Sequence, residues 1–298
     1  MLDGSTGRPS SARLYFLIGL MTTLWSFNYI VAKFALREFP PLLASSLRTC
    51  IAGLIMLPIY AIYNTRGEAG WNRSDLSRLI SLGMLGVALN QVFFVVGIAH
   101  TSVAHAAIMI ALTPVLVLLI ASATGQERLQ PGKFLGLLIA MSGVVIVQLA
   151  SGSDRTASFL GDVLVFGAAV TFAIFSVNSK RSIGQIKGVT LNTFAYVGSG
   201  IALAPVVLWQ GSGFAFLQVS WLAWLSVVYM ALFSSVLCYV IYHYALTYIP
   251  ASRVAAFSYL QPLLATLMAI PVLGEHPTRS LVLGGSLVLL GVFLVERA

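Results

Sequence analysis

The chain is short of charge. Of its 298 residues only 9% are Asp, Glu, Lys or Arg, against 58% hydrophobic, whereas a soluble domain carries about 25% charged residues. That is too little polar surface to cover a water-facing core, which excludes an ordinary cytosolic enzyme, a disordered chain and a nucleic-acid binder. Cysteine is scarce as well. Cys50 and Cys238 both stand in apolar runs without CxxC or zinc-like spacing, so no disulfide framework is encoded. The nine acidic residues (Asp3, Glu38, Glu68, Asp75, Glu127, Asp154, Asp162, Glu275 and Glu296) all fall in tails, loops or the last turn of an apolar run. Proton-driven carriers often hold a carboxylate in mid-membrane, and none is available. His105 and His243 remain as titratable candidates. HExxH, an intramembrane Asp pair and GxSxG with suitable partners are all missing, so catalytic residues, metal ligands and cofactors are not assigned and an enzyme is not expected.

What is present is a succession of apolar runs. A helix needs roughly 20 residues to cross a bilayer core, and that ruler marks spans at 14–36, 41–63, 78–99, 102–124, 132–150, 159–179, 190–209, 220–247, 252–273 and 279–295. Connectors such as Asn64–Asp75 and Gly125–Pro131 are short and hold most charges and turn formers. Arg8 and Arg13 precede the first run as in a signal peptide, but the run is too long and no small-residue cleavage site closes it, so it is read as retained. With the N-terminus inside, twelve of the 17 basic residues collect on the cytoplasmic side, leaving Lys33, Arg37, Arg48, Arg155 and Arg279 toward the other. The expectation is an all-α polytopic protein of a bacterial-type inner membrane, with ten transmembrane helices and both termini cytoplasmic. Its partners are the lipid bilayer and a small-molecule substrate, with no nucleic acid, and it is expected to act as a monomer.

The sequence also repeats. Shifted by 148, Ala107 falls on Ala255, Pro114 on Pro262, Glu127 on Glu275, Gly136 on Gly284 and Gly143 on Gly291; shifted by 147, Trp25 meets Phe172 and Lys33 meets Lys180. The halves are 13–150 and 158–297. Five spans is an odd number, so the second half must enter the membrane inverted. Inverted repeats that exchange conformations are a common basis of alternating access, with substrate held near the midplane. A duplication serving only helix packing is the rival reading.

These features resemble the drug/metabolite transporter superfamily, in its EamA-type branch, over residues 14–296. The resemblance rests on Trp25, Asn28 and Lys33 with Phe172 and Lys180, and on Arg48. It rests also on the segments GIAHTSVAHAAIMIALTPVL and YALTYIPASRVAAFSYLQPLL, each leading to a Glu and a Gly-spaced last span. Within that branch the similarity runs to exporters of aromatic amino acids. It implies a ten-helix exporter that switches between inward and outward states, with a central cavity formed by spans 1, 3, 4, 6, 8 and 9 and with spans 5 and 10 peripheral. The second half departs from the pattern, having Phe172 in place of Trp and no Arg to match Arg48.

Polar residues inside a membrane are functional candidates, because each needs a partner or water. Span 1 places Trp25, Asn28 and Tyr29 on one face; span 3 offers Asn90, Gln91 and Phe94; span 4 offers His105 and Met109 ahead of Thr113 and Pro114. Span 8 carries Tyr239, Tyr242 and His243, and span 9 carries Ser258, Tyr259, Gln261 and Pro262. The predicted substrate-binding set is Trp25, Asn28, Tyr29, Asn90, Phe94, His105, Met109, Tyr239, Tyr242, His243, Tyr259 and Gln261, with Pro114 and Pro262 as kinks that expose carbonyls. For Asn90 and His243 the rival is helix–helix hydrogen bonding, and the prolines could be simple kinks. Lys33 and Arg48 read as snorkelling to the headgroups; alternatively one attracts a substrate carboxylate or pairs with Glu38 or Asp162. With no fixed charge at mid-membrane, the cavity suits a small, net-neutral molecule with an apolar or aromatic part, such as an amino acid, whose ammonium the rings would attract. With every acid outside the span centres, the simpler expectation is a facilitator moving solute down its own gradient; alternatives are a proton-coupled multidrug or other metabolite exporter of the same fold and a channel.

Overall fold

The computed structural model describes residues 9–64, 71–101, 106, 109–150, 158–183, 185–261, 263–264, 267–268 and 279–298. In chain order the helices are α1 (Ser11–Ala35), α2 (Pro41–Asn64), α3 (Arg73–His100), α4 (Thr113–Ala123), α5 (Pro131–Ala150), α6 (Phe159–Ile183), α7 (Gly188–Gly211), α8 (Trp221–Tyr248), α9 (Ala251–Ala256) and α10 (Arg279–Arg297). Each predicted span overlaps one of them. Six, namely α1, α2, α3, α6, α7 and α8, are long and apolar enough to cross a membrane by length and composition. No strand occurs among the described residues.

Only a structure that satisfies its own backbone can sit in hydrocarbon, and helices do so within a single segment. Buried hydroxyls are handled the same way: those of Thr22, Ser26, Ser46, Thr49 and Ser176 each donate to the carbonyl four residues back. Two helices depart from α geometry. α3 contains a π-helical stretch at Met84–Leu89 and α8 one at Met230–Leu237, ending 148 positions apart. α4 starts only after a turn at Leu112, and α9 passes into a 3-10 turn at Phe257–Tyr259.

Packing pairs α1 with α8, α2 with α7, α3 with α6, α4 with α9 and α5 with α10. In the last pair glycines set the approach. A Cβ on Gly291 would fall 2.5 Å from the Gly136 carbonyl oxygen, and one on Gly136 would fall 2.9 Å from the Gly291 oxygen, so these backbones touch directly. The Tyr15 hydroxyl donates to Glu296 Oε2 at 2.7 Å, joining the start of α1 to the end of α10. Gly132, at the start of α5, lies beside Ala298 at that same end.

Candidate functional site

A cavity of about 120 Å³ lies in the middle of the bundle. α1 contributes Met21, Thr22, Trp25, Asn28 and Tyr29; α3 contributes Asn90, Gln91 and Phe94; Phe172 comes from α6, and Tyr239 and Tyr242 from α8. Ile110 and Thr113 line it around the start of α4, and Val254, Ala255, Ser258 and Gln261 around α9. α2 adds Arg48. Among the described residues none of α5 or α10 lines the wall, whereas α2 does and was not expected there.

Four rings form one side. Trp25 meets Phe172 at 6.2 Å, Tyr239 at 5.8 Å and Tyr242 at 5.9 Å, and Phe172 meets Tyr242 at 5.4 Å, in edge-on or tilted contacts that aromatic quadrupoles favour. The Trp25 indole is held by its Nε1–H, which donates to the Ser234 carbonyl at 3.0 Å. Ser234 belongs to the π stretch of α8, where the i→i+5 pattern disturbs the regular ladder and leaves carbonyls open to outside donors.

The polar side is built differently. Asn90 donates through Nδ2 to the Ala168 carbonyl of α6 at 2.8 Å, so its amide binds helix to helix while it lines the cavity. Gln91 donates to the Tyr196 hydroxyl at 2.9 Å and accepts from Thr49 Oγ1 at 3.4 Å, tying α3 to α7 and α2. Asn28 is 6% exposed, and its Oδ1 has no hydrogen-bond partner among the described residues. Near α4, Pro114 has no N–H to return to the carbonyl of Ile110. It occupies the first turn of α4, where a proline is readily accommodated, so the span is interrupted at Leu112 rather than kinked within a continuous helix.

Arg48 corrects the sequence reading. It is 5% exposed and on the cavity wall, with Nε donating to Ser235 Oγ at 2.9 Å. A snorkelling side chain would reach water; this one is enclosed, and the cavity has a fixed positive charge. Lys33, by contrast, is exposed. The signal for Arg48 lay in its helix face. Ser45, Thr49, Ala52, Gly53 and Met56 are buried beside it, while Leu54, Leu57 and Ile62 are exposed. The stripe of small residues marked the face turned inward.

Outside the membrane-spanning segments, Glu127 sits in the turn after α4. It accepts from the Ser252 N–H at 3.1 Å, from the Ser252 hydroxyl, and from Lys133 Nζ at 2.7 Å. Burial alone would raise its carboxyl, but these bonds outweigh it and hold the group below the ordinary carboxylate range. On the α1–α2 loop, Glu38 accepts from the Ser220 N–H at 2.7 Å and from its hydroxyl, at the N-cap of α8, and Ser220 lowers its pKa.

The model of the EamA-like transporter family matches residues 12–149 and again residues 159–297. The chain belongs to the EamA-like transporter family. An uncharacterized transporter of Archaeoglobus fulgidus is 28% identical over 287 residues, 95% of this chain and 98% of its own. A probable terminal-alkyne amino-acid exporter of Streptantibioticus cattleyicolor is 29% identical over 223 residues, 75% of this chain and 74% of its own. A solved crystal structure superposes with a TM-score of 0.78 over 97% of this chain and 98% of that one, at 20% identity, and so shares the fold. The protein is a multi-pass membrane transporter.

In this EamA-like bundle, Trp25, Asn28, Tyr29, Asn90, Phe94, Tyr239, Tyr242 and Gln261 line the cavity. Three predicted residues do not. His243 is 1% exposed, packed against Phe175 at 5.7 Å and Tyr242 at 6.0 Å behind the wall, because one residue turns an α-helix by about 100° from Tyr242. Tyr259 is fully buried against the α5–α10 pair; the 3-10 turn there shifts the helical phase, and Ser258 and Gln261 face inward instead. Met109 packs with Tyr29, Ile98 and Val165, leaving Ile110 on the wall. His105 and Pro262 lie outside the described residues.

Proposed function

We propose that this protein is an inner-membrane exporter of small metabolites, amino acids with aromatic or apolar side chains among them, working by alternating access of two inverted five-helix repeats with cytoplasmic termini. The observation that carries this reading is the central cavity, where an aromatic box from α1, α6 and α8 faces polar groups from α1, α2, α3 and α9. Such a mixture of apolar wall and few polar groups is typical of a metabolite site. Similarity in sequence to a probable terminal-alkyne amino-acid exporter of Streptantibioticus cattleyicolor supports the substrate class.

The inverted repeat has its own support. Exchanging the halves turns the α1–α8 contact into α6–α3, and leaves α2–α7, α4–α9 and α5–α10 as they are, so these five pairings map onto themselves. The family model fits each half, and the π stretches of α3 and α8 end in register.

Among the described residues no carboxylate lines the cavity, which favours facilitated movement over proton coupling through an acid. In proteoliposomes, counterflow of phenylalanine or leucine should saturate and persist without a pH gradient or membrane potential. Strict dependence on an imposed proton gradient would overturn the facilitator reading, and flux that neither saturates nor shows counterflow would replace the carrier by a channel.

A further inference from the structure

Arg48 is a buried cation whose charge the protein leaves open. A guanidinium has five N–H donors and stays protonated in proteins. Among the described residues it makes one hydrogen bond, from Nε to Ser235 Oγ, and no carboxylate stands within 4.0 Å of it. Burying a charge is costly unless a counter-charge or hydrogen bonds compensate it, and Arg48 is 5% exposed. Ser235 fixes the Nε edge of the fork, and the residue borders the cavity.

We infer that Arg48 is the receptor for a carboxylate on the transported molecule. The inference rests on the transporter reading and narrows its substrate to molecules bearing one carboxylate near an apolar or aromatic group. The planar fork matches a carboxylate bidentately, which a point charge cannot do. A single arginine favours a single negative charge over the doubly charged phosphate esters. The aromatic box of Trp25, Phe172, Tyr239 and Tyr242 receives the rest of the molecule. The unpartnered Oδ1 of Asn28, which also lines the cavity, gives an acceptor for an ammonium or other N–H group. Arg48 therefore supplies what distinguishes an acid from its ester or amine.

The test uses full-length protein in liposomes and a matched series: phenylalanine, its methyl ester, phenethylamine and 3-phenylpropionate. Wild type should take the acids at least about 30-fold more tightly than the ester or the amine, the scale for truncating a buried charge pair. Arg48→Lys keeps the charge without the fork and should retain the preference at lower affinity; Arg48→Gln should abolish it, with folding checked by size-exclusion profile and melting. Equal handling of ester, amine and acid by wild type would overturn the assignment, as would an acid preference that survives in Arg48→Gln, or equal stabilisation by chloride or phosphate. Transport of 3-phenylpropionate without phenylalanine would support Arg48 and defeat the amino-acid reading. Saturable transport of the amine alone would defeat Arg48 and leave the carrier standing.

Discussion

Glu127 accepts both hydrogens of Ser252, 125 residues further along the chain, and so fastens the turn after α4 to the first turn of α9. The carboxylate is 9% exposed and is also paired with Lys133 at 2.7 Å. An anion at a helix N-terminus is favoured twice, by the free N–H groups and by the helix dipole. Glu127→Gln should therefore loosen this end of the bundle, with amide exchange at Ser252 rising about tenfold. The sign of the pH dependence follows from the depressed carboxyl. Its contribution is complete above the ordinary value of 4.5 and is lost only as pH falls through the lower folded value. Exchange at Ser252 in wild type should thus be flat from pH 5 to 8 once intrinsic rates are removed, and a rise within that window would contradict the latch.

His243 was a candidate for proton coupling, and its position argues against that role. The ring is enclosed by Phe175, Tyr239 and Tyr242 and does not reach the cavity. His243→Phe should keep counterflow within about twofold of wild type, as expected of an apolar replacement of similar size. The pH profile of transport should stay unchanged. Loss of a pH-dependent limb in the variant would restore the histidine to the mechanism.

The number of helices was readable because apolar run length is a direct measure of bilayer thickness, whereas the expected bounds of 102–124 and 252–273 missed the breaks at Leu112 and at Phe257–Tyr259. Tyr239 and Tyr242 were readable because residues three apart share a helix face. Arg48 was misread because its place near the end of a span gives depth in the membrane and says nothing about which way the side chain turns. Its direction was encoded in the small residues around it, Ser45, Thr49, Ala52 and Gly53. Tyr259 failed for another reason. Polar character alone singled it out in span 9, and the 3-10 turn at Phe257–Tyr259 changes the angle per residue, so Ser258 and Gln261 line the cavity while Tyr259 turns away. The π stretches in α3 and α8 carry no composition or spacing signal, although the one in α8 holds the Ser234 carbonyl that Trp25 bonds.

That contact yields a separate prediction. Trp25→Phe preserves a ring for packing against Phe172 and Tyr239 but removes the Nε1–H that Ser234 accepts. An unmade hydrogen bond in a buried site costs about 1–2 kcal/mol, so the variant should melt earlier than wild type. It should also bind aromatic substrates more weakly, since the ring is no longer oriented. Trp25→Ala should lose transport of them. Equal melting of Trp25→Phe and wild type would mean that the indole hydrogen bond does not hold the box together.

The α5–α10 pair offers the converse case, a contact that supports the bundle without touching the cavity. A side chain at Gly291 would run into the Gly136 carbonyl at 2.5 Å and Ala140 at 2.6 Å, with backbone atoms among its neighbours. Backbone cannot yield as a flexible side chain can. Gly291→Val should force the helices apart and destabilise the protein by about 1–3 kcal/mol, the range for overpacking a tight core. Because no described residue of either helix lines the cavity, the ratio of affinities for phenylalanine and leucine should match wild type in whatever folded fraction is reconstituted. A changed ratio would show that the pair sets the shape of the cavity from a distance, and that its glycines belong to the transport cycle as well as to packing.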